Sequence, residues 1–252
     1  LSENGNISTV TGRQIVRELE YASNSTVGFY TGYETLDVSP SDVLTSATFS
    51  YKQMAGNVTI SGLEQIQNSG TEAIINLLES RIGVLEKTMA NTLSTSLYSD
   101  GTGSDGKEVG GLQLLVADAG TGTVGGINSS TFTFFQNVQT TATSSAFSTT
   151  NIQSDMNTIY LSLVRGADSP DLIMADTNAY KSFLGSLQAI QRVTSDRVAT
   201  SGFTSVQYLN SDVIFDDACP TNKMYFLNTD YLRLEVAANR NFVPGEAKMS
   251  VN

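Results

Sequence analysis

Thr71-Glu-Ala-Ile-Ile-Asn-Leu-Leu-Glu-Ser-Arg-Ile-Gly-Val-Leu-Glu-Lys-Thr-Met-Ala-Asn-Thr-Leu-Ser-Thr-Ser-Leu97 is the stretch whose reading decides the fold. Ile74, Leu78, Ile82, Leu85, Met89, Leu93 and Leu97 recur every three or four positions, which places them on one helix face. Thr71 suits a helix start and Asp100-Gly101 a helix stop. At 1.5 Å per residue, about 27 residues span roughly 40 Å, against about 11 or 12 residues in an ordinary globular helix. Gly83 falls in mid-helix, where glycine costs about 1 kcal/mol relative to Ala, and so marks a bend or a close packing contact. An apolar face is what any core helix shows. The length is what asks for an explanation.

Upstream, Ala47, Phe49 and Tyr51 alternate with polar residues, as do Val58 and Ile60, with Gly56 between the two runs. This pattern predicts a β-hairpin over residues 46–61. A long hairpin with few sequence neighbours needs a partner to cover it. Arg13 to Tyr21 partly alternates and reads as a strand. Residues 22–45 carry Gly28, Gly32, Pro40 and several Ser and Asp, and read as extended and turn-rich.

Downstream, Leu112 to Ala117 reads as a strand. Ala119 to Ser154 then contains no charged residue, but Phe132, Phe134 and Phe135 set it apart from a flexible linker. It reads as a loop, a docking strand and a second loop. A second unit begins near residue 150. Ile152, Met156, Ile159, Tyr160, Leu163 and Val164 define a helix, Asp171 to Asp176 a short buried strand, and Asn178 to Ile190 another helix. Short strands follow at 205–209, 212–215, 223–228 and 231–236. Together they form an α+β domain with a mixed sheet.

The chemistry available is narrow. The chain has no His, which removes Ser-His-Asp, Cys-His and ordinary His-based metal sites. Cys219 is the single cysteine, so neither an intrachain disulfide nor a CxxC site can form. It reads as a small apolar core residue. Asp216-Asp217 and Asp168/Asp171 are the nearest carboxylate pairs, and they flank strand ends as solvated turn carboxylates do. Gly120-Thr-Gly122-Thr-Val-Gly125 matches GxGxxG. No helix opens at these glycines and no acid follows about 20 residues on, so it reads as a turn rather than a dinucleotide cradle. Asp100-Gly-Thr-Gly-Ser-Asp105-Gly lacks the terminal Glu of a calcium loop. No cofactor or metal is expected, and no enzyme activity.

Fourteen basic against 25 acidic residues give a net charge of -11, which opposes tight binding of nucleic-acid phosphates and suits solubility. No apolar run reaches the roughly 18 residues of a membrane span, and residues 1–10 lack the apolar region of a signal peptide. The Asn-X-Ser/Thr triplets at Asn6, Asn24, Asn57 and Asn128 are therefore read as unglycosylated. The chain does not open on Met, so a processed or trimmed front end is expected.

The order of elements resembles a tailed-bacteriophage major capsid protein of the Hong Kong 97 type. The segments that carry the likeness include Ile15-Val-Arg-Glu-Leu-Glu-Tyr, Ser39-Pro-Ser-Asp42, Ile60-Ser-Gly-Leu-Glu64 and Asn76-Leu-Leu-Glu-Ser-Arg81. Further ones are Leu97-Tyr-Ser-Asp-Gly-Thr-Gly103, Gly110-Gly-Leu-Gln-Leu-Leu-Val-Ala-Asp118, Ser186-Leu-Gln-Ala-Ile-Gln-Arg192 and Met224-Tyr-Phe-Leu-Asn-Thr-Asp230. No single motif is specific; their order is.

The resemblance implies an N-terminal arm and first strand over 1–27 and an extended β-hairpin loop over 28–66. It implies a peripheral domain over 67–149 with a spine helix at 71–97, an axial domain over 150–236, and a return to the peripheral domain over 237–252, incomplete at Asn252. The spine core would be Ile74, Leu78, Ile82, Leu85, Met89 and Leu93. The extended loop would meet a neighbouring subunit through Phe49, Tyr51, Lys52, Met54, Val58 and Ile60. Some members crosslink through a loop Lys, and Lys52 lies in that region, but no Asn or catalytic Glu matches. The implied partners are further copies of the chain, as pentamers and hexamers of a shell, with scaffold, portal and decoration proteins. DNA would be enclosed without sequence-specific binding and no membrane engaged. The implied location is the virion, after assembly in the host cytoplasm.

Three other readings compete. An encapsulin-type compartment has the same fold around protein cargo. A carboxylate-dependent hydrolase would use Asp216 or Asp217 in a deep pocket. A secreted adhesive protein would account for the Ser/Thr content and predicts monomers.

Overall fold

The computed structural model describes residues 7–69, 77–143, 146–187 and 206–245. Ile74 and the expected spine start at Thr71 fall outside these residues, as does the end of the helix expected to reach Ile190. The described residues are α+β, with four small sheets and two cores among them.

Strand β1 (Ile7–Val10) leads into β2 (Ile15–Glu20), which pairs antiparallel with β3 (Leu44–Phe49). The hairpin expected over 46–61 is therefore not what forms. Ala47 and Phe49 do lie on a strand, but Leu44–Phe49 takes Ile15–Glu20 as its partner, and the residues holding Val58 and Ile60 form no strand. The reason is a better use for that second run, which lies along the spine helix. Gly56 sits so close to Leu85 and Met89 that a Cβ there would come 2.4 Å from Leu85 Cδ1. Arg81 donates to the Thr59 carbonyl at 2.5 Å and to Glu64 at 2.5 Å. Alternation marks a half-buried segment, and a helix buries one as well as a strand does.

The short helix α1 (Gly62–Gln67) opens on a capping box, with the Ser61 hydroxyl accepting from the Glu64 N–H and Glu64 Oε2 accepting from the Ser61 N–H. The spine follows as α2 (Leu77–Ser96). Its 20 described residues span about 30 Å. Its half-buried stripe is Leu77, Arg81, Leu85, Met89 and Leu93. Leu78 and Ile82, expected in the core, are exposed instead. The covering segment is pinned by Arg81, so the helix turns that position inward, with its polar head on Thr59 and Glu64, and leaves Leu78 and Ile82 outside. Nothing lies within 4 Å of a Cβ built on Gly83, which therefore marks no close contact.

After the spine the chain turns through α3 (Gly103–Gly106), a single turn in which Ser104 and Asp105 have left-handed φ of 52° and 57°. It then forms α4 (Leu112–Leu115), where a strand was expected. A four-residue apolar run carries no period that separates the two. Here the Leu112 N–H donates to the Leu97 carbonyl at 2.7 Å, folding the segment back onto the spine's last turn. The glycines at 120–126 make a tight hairpin, β4 (Thr123–Val124) and β5 (Ile127–Asn128), with Gly125 and Gly126 in the left-handed region. No helix follows, in keeping with a turn. Residues 133–135 form a 3₁₀ turn where a docking strand was expected. Its Phe rings pack on one another and on Tyr21.

The last unit is a four-stranded sheet in the order β7-β8-β6-β9, covered by α5 (Ile152–Leu163) and α6 (Thr177–Ser186). Its strands are β6 (Leu172–Ala175), β7 (Val206–Tyr208), β8 (Ser211–Phe215) and β9 (Met224–Leu227). Strands β6 and β8 run parallel; β7 and β9 are antiparallel edges. Ile152, Met156, Ile173, Phe183, Val206 and Val213 form its core. Asp176 caps α6, its two oxygens accepting from Ala179 at 2.9 Å and Asn222 at 2.7 Å. The strand expected at 231–236 does not join this sheet. It forms as β10 (Leu234–Ala237) and pairs parallel with β1.

A second core joins this unit to the spine. Tyr98, Cys219, Tyr225 and Leu227 are buried together, with Leu112 and Val116 packed on them. The Tyr98 hydroxyl donates to Asp216 at 2.6 Å, and Lys223 pairs with Asp118. Burial raises the Tyr98 and Tyr225 hydroxyl pKa values above the usual range and pushes the Cys219 thiol up to about 12.

Candidate assembly surface

The antiparallel ribbon of β2 and β3 has two unlike faces. Ile15 and Leu19 with the flanking Tyr21, and Thr45, Ala47 and Phe49 with the flanking Val43, are buried or half-buried, while the alternate positions other than Thr48 are exposed. Beyond Tyr21 and Val43 the chain leaves the body. Residues 27–38 are exposed throughout and carry Val27, Phe29, Tyr30, Tyr33, Leu36 and Val38. Phe29 and Tyr33 are as exposed as in an extended peptide, at 109% and 105%. Six large exposed apolar side chains on one 12-residue tip make it a candidate interaction surface. The tip holds its shape through local bonds, such as the Asp37 carboxylate accepting from Ser39 and Glu34 accepting from the Thr31 N–H. These bonds to Ser39 lower the Asp37 pKa.

The residues first singled out for contact with a neighbour fall mostly elsewhere. Phe49 packs under Gly125, and Tyr51, Val58 and Ile60 are half-buried within this chain. Lys52 donates to the Gly106 carbonyl, bracing the left-handed turn. Met54 remains exposed. Residues 28–38 lie within the extended loop that the resemblance implies, but their side chains are not among the contact residues named for it, because 22–45 reads first for its turn formers. The signal was there: aromatic and branched residues spaced through a segment with nothing of its own to bury them.

The spine offers a second exposed apolar area, with Leu78, Ile82 and Val84 outward and Leu63 and Ile66 of α1 also exposed.

The carboxylates weighed for chemistry are occupied in structural bonds. Asp216 accepts from the Tyr98 hydroxyl and the Ala218 N–H, Asp171 from the Thr229 N–H and hydroxyl, and Asp168 from the Tyr231 hydroxyl. Asp217 is exposed. Arg165, Asp168, Pro170, Phe226 and Tyr231 line an open cleft of about 230 Å³ at the far end of the sheet, away from Asp216. Among the described residues no three His, Cys, Asp or Glu side chains gather as a metal site, and no helix is long and apolar enough to cross a membrane.

No protein-family model matches the chain, and no curated protein matches it. Among solved structures, a chain of the capsid asymmetric unit of cyanophage A-1(L) matches with a TM-score of 0.66 at 19% sequence identity. The match covers 91% of this chain and 70% of that one. At that identity the likeness lies in the path of the backbone: this chain shares its fold with a cyanophage capsid chain.

Proposed function

We propose that this chain is a major capsid protein with a Hong Kong 97-like fold, self-assembling into an icosahedral head shell around the double-stranded DNA of a tailed bacteriophage. The observation that carries the reading is the common fold with a capsid chain over 91% of the length. The exposed tip of residues 27–38 supports it, because a monomer has no use for six unburied apolar side chains on a projecting loop. Pentamers and hexamers of this one chain form the wall, and scaffold, portal and decoration proteins are its further partners. A net charge of -11 suits a wall along which packaged phosphates slide rather than stick. The peripheral domain is built on α2 and the axial domain on the four-stranded sheet. The extended loop is the β2–β3 ribbon with its tip, which draws part of the expected 1–27 arm into the loop.

Electron microscopy of the purified chain tests this reading. Closed shells are expected, and replacing Phe29, Tyr30 and Tyr33 together by Ser should leave folded, soluble protein that forms none. Parent protein that stays monomeric at high concentration would sink the proposal. Shells recovered with protein cargo and no DNA from infected cells would favour the encapsulin-type compartment instead.

A further inference from the structure

The ribbon does not project freely from the body; it is seated. A two-stranded ribbon alone is marginally stable in water, so its direction must come from what it rests on. Three contacts converge on one face. Ala47, 2% exposed, lies against Gly125 at the β4–β5 turn, and the neighbouring Thr48 N–H donates to the Gly125 carbonyl at 2.9 Å. Arg17, the cross-strand partner of Ala47, pairs with Glu235 of β10. Tyr21, where the ribbon leaves the body, stacks on Phe134 with ring centroids 4.9 Å apart. Two of the three supports, Gly125 and Phe134, come from the charge-free stretch 119–154.

We propose that the Gly125 turn, Phe134 and Glu235 form a seat that aims the ribbon, and that this aim decides whether the tip meets the next copy of the chain. Gly125 is the critical position. It has φ of +57°, and a Cβ there would stand 2.6 Å from Ala47 Cβ and 3.1 Å from the Phe49 ring. Any side chain at 125 must lift the ribbon. A closed shell repeats one interface many times, so an error in aim recurs at every copy and prevents closure. The charge-free composition of this stretch then has a cause: the seat is an apolar and backbone surface under a ribbon whose own body-facing charge, Arg17, is already paired. This inference rests on the shell reading for its consequence but not for its geometry.

Two measurements separate them. Spin labels at Tyr33→Cys and Ser154→Cys, with Cys219→Ala, report the distance from tip to axial domain in the unassembled chain. One narrow distance is expected in the parent. Gly125→Ala should broaden or displace it while thermal unfolding still shows the axial core intact. Tyr21→Leu, which removes the stack without adding atoms, should broaden it too. A broad distribution in the parent, or one unmoved by either variant, overturns the seat. Assembly is then scored by microscopy: Gly125→Ala with an intact tip should lose closed shells. Normal shells from a variant whose distance has broadened would overturn the role of aim. A parent that forms no shells removes the shell reading alone, and the distances still decide the seat.

Discussion

The four-stranded sheet with its two helices and the long helix α2 both carry apolar sequence and use it in opposite ways. In the sheet, Ile152, Ile173, Phe183 and Val213 are fully buried between α5, α6 and the strands. In the described spine, no side chain before Ser96 is buried, and Leu78, Ile82 and Val84 face outward. One half completes its core within a single chain. The other half has an open face, like the tip at 27–38. A chain divided in this way keeps a stable unit beside an exposed apolar surface, which fits the proposed shell subunit better than a monomer.

The contrast can be broken most sharply from its buried side. Phe183→Ala should cost about 3–5 kcal/mol, read as a lowered denaturation midpoint, because the side chain is 0% exposed and central to the packing. The joint between the halves comes next. A Cβ at Gly111 would fall 2.2 Å from the Leu97 carbonyl oxygen and 2.6 Å from that of Ser96. Backbone on both sides cannot give way, so Gly111→Ala should destabilise by about 1–3 kcal/mol in the same measurement. On the open side the sign reverses. Gly83→Ala meets no atom within 4 Å and should stabilise the unassembled chain by up to about 1 kcal/mol, the helix-propensity difference. A loss of stability there would mean that the spine is not the open helix described.

The smallest effect is a local one, with pH. The Glu64 carboxyl is held down to about 2 from its ordinary 4.5, first by the Arg81 guanidinium and then by its bonds with Ser61. A lowered pKa stabilises the folded state above the unfolded value and loses that contribution as the pH falls through the folded one. The clasp between α1 and the spine should therefore hold from neutral pH to about 4.5 and weaken as the pH drops toward 2. Amide exchange at Glu64–Gln67, corrected for its intrinsic rate, would follow it. Protection that stays constant across that range would remove Arg81 as the anchor. The Glu64 side chain is half-exposed and screened by solvent, so global stability should hardly change.

Much of this was legible in the chain. The long helix from Leu77, the helix from Ile152, the buried strand at 172–175 and the strand at 15–20 all carry their period in consecutive residues, and that period follows from side-chain geometry alone. The absence of His and the single Cys removed whole classes of chemistry before any fold was known. The partner of each segment was not legible. Ala47, Phe49, Val58 and Ile60 all alternate, but alternation says only that one side is covered. Whether a strand or a helix does the covering depends on residues far away: Ile15–Glu20 for the first pair, and the spine face at Leu85 and Met89 for the segment that holds the second.

The sequence by itself thus determined the long helices from Leu77 and Ile152, the strands at 15–20 and 172–175, which segments seek cover, and an acidic chain without imidazole. Only the tertiary structure decided that β3 pairs across 23 intervening residues with β2, that β10 pairs with β1 and not with the four-stranded sheet, and that the apolar residues at 27–38 are left exposed. Periodicity is a property of neighbours along the chain, whereas pairing and exposure are set by which distant surfaces fill the same space.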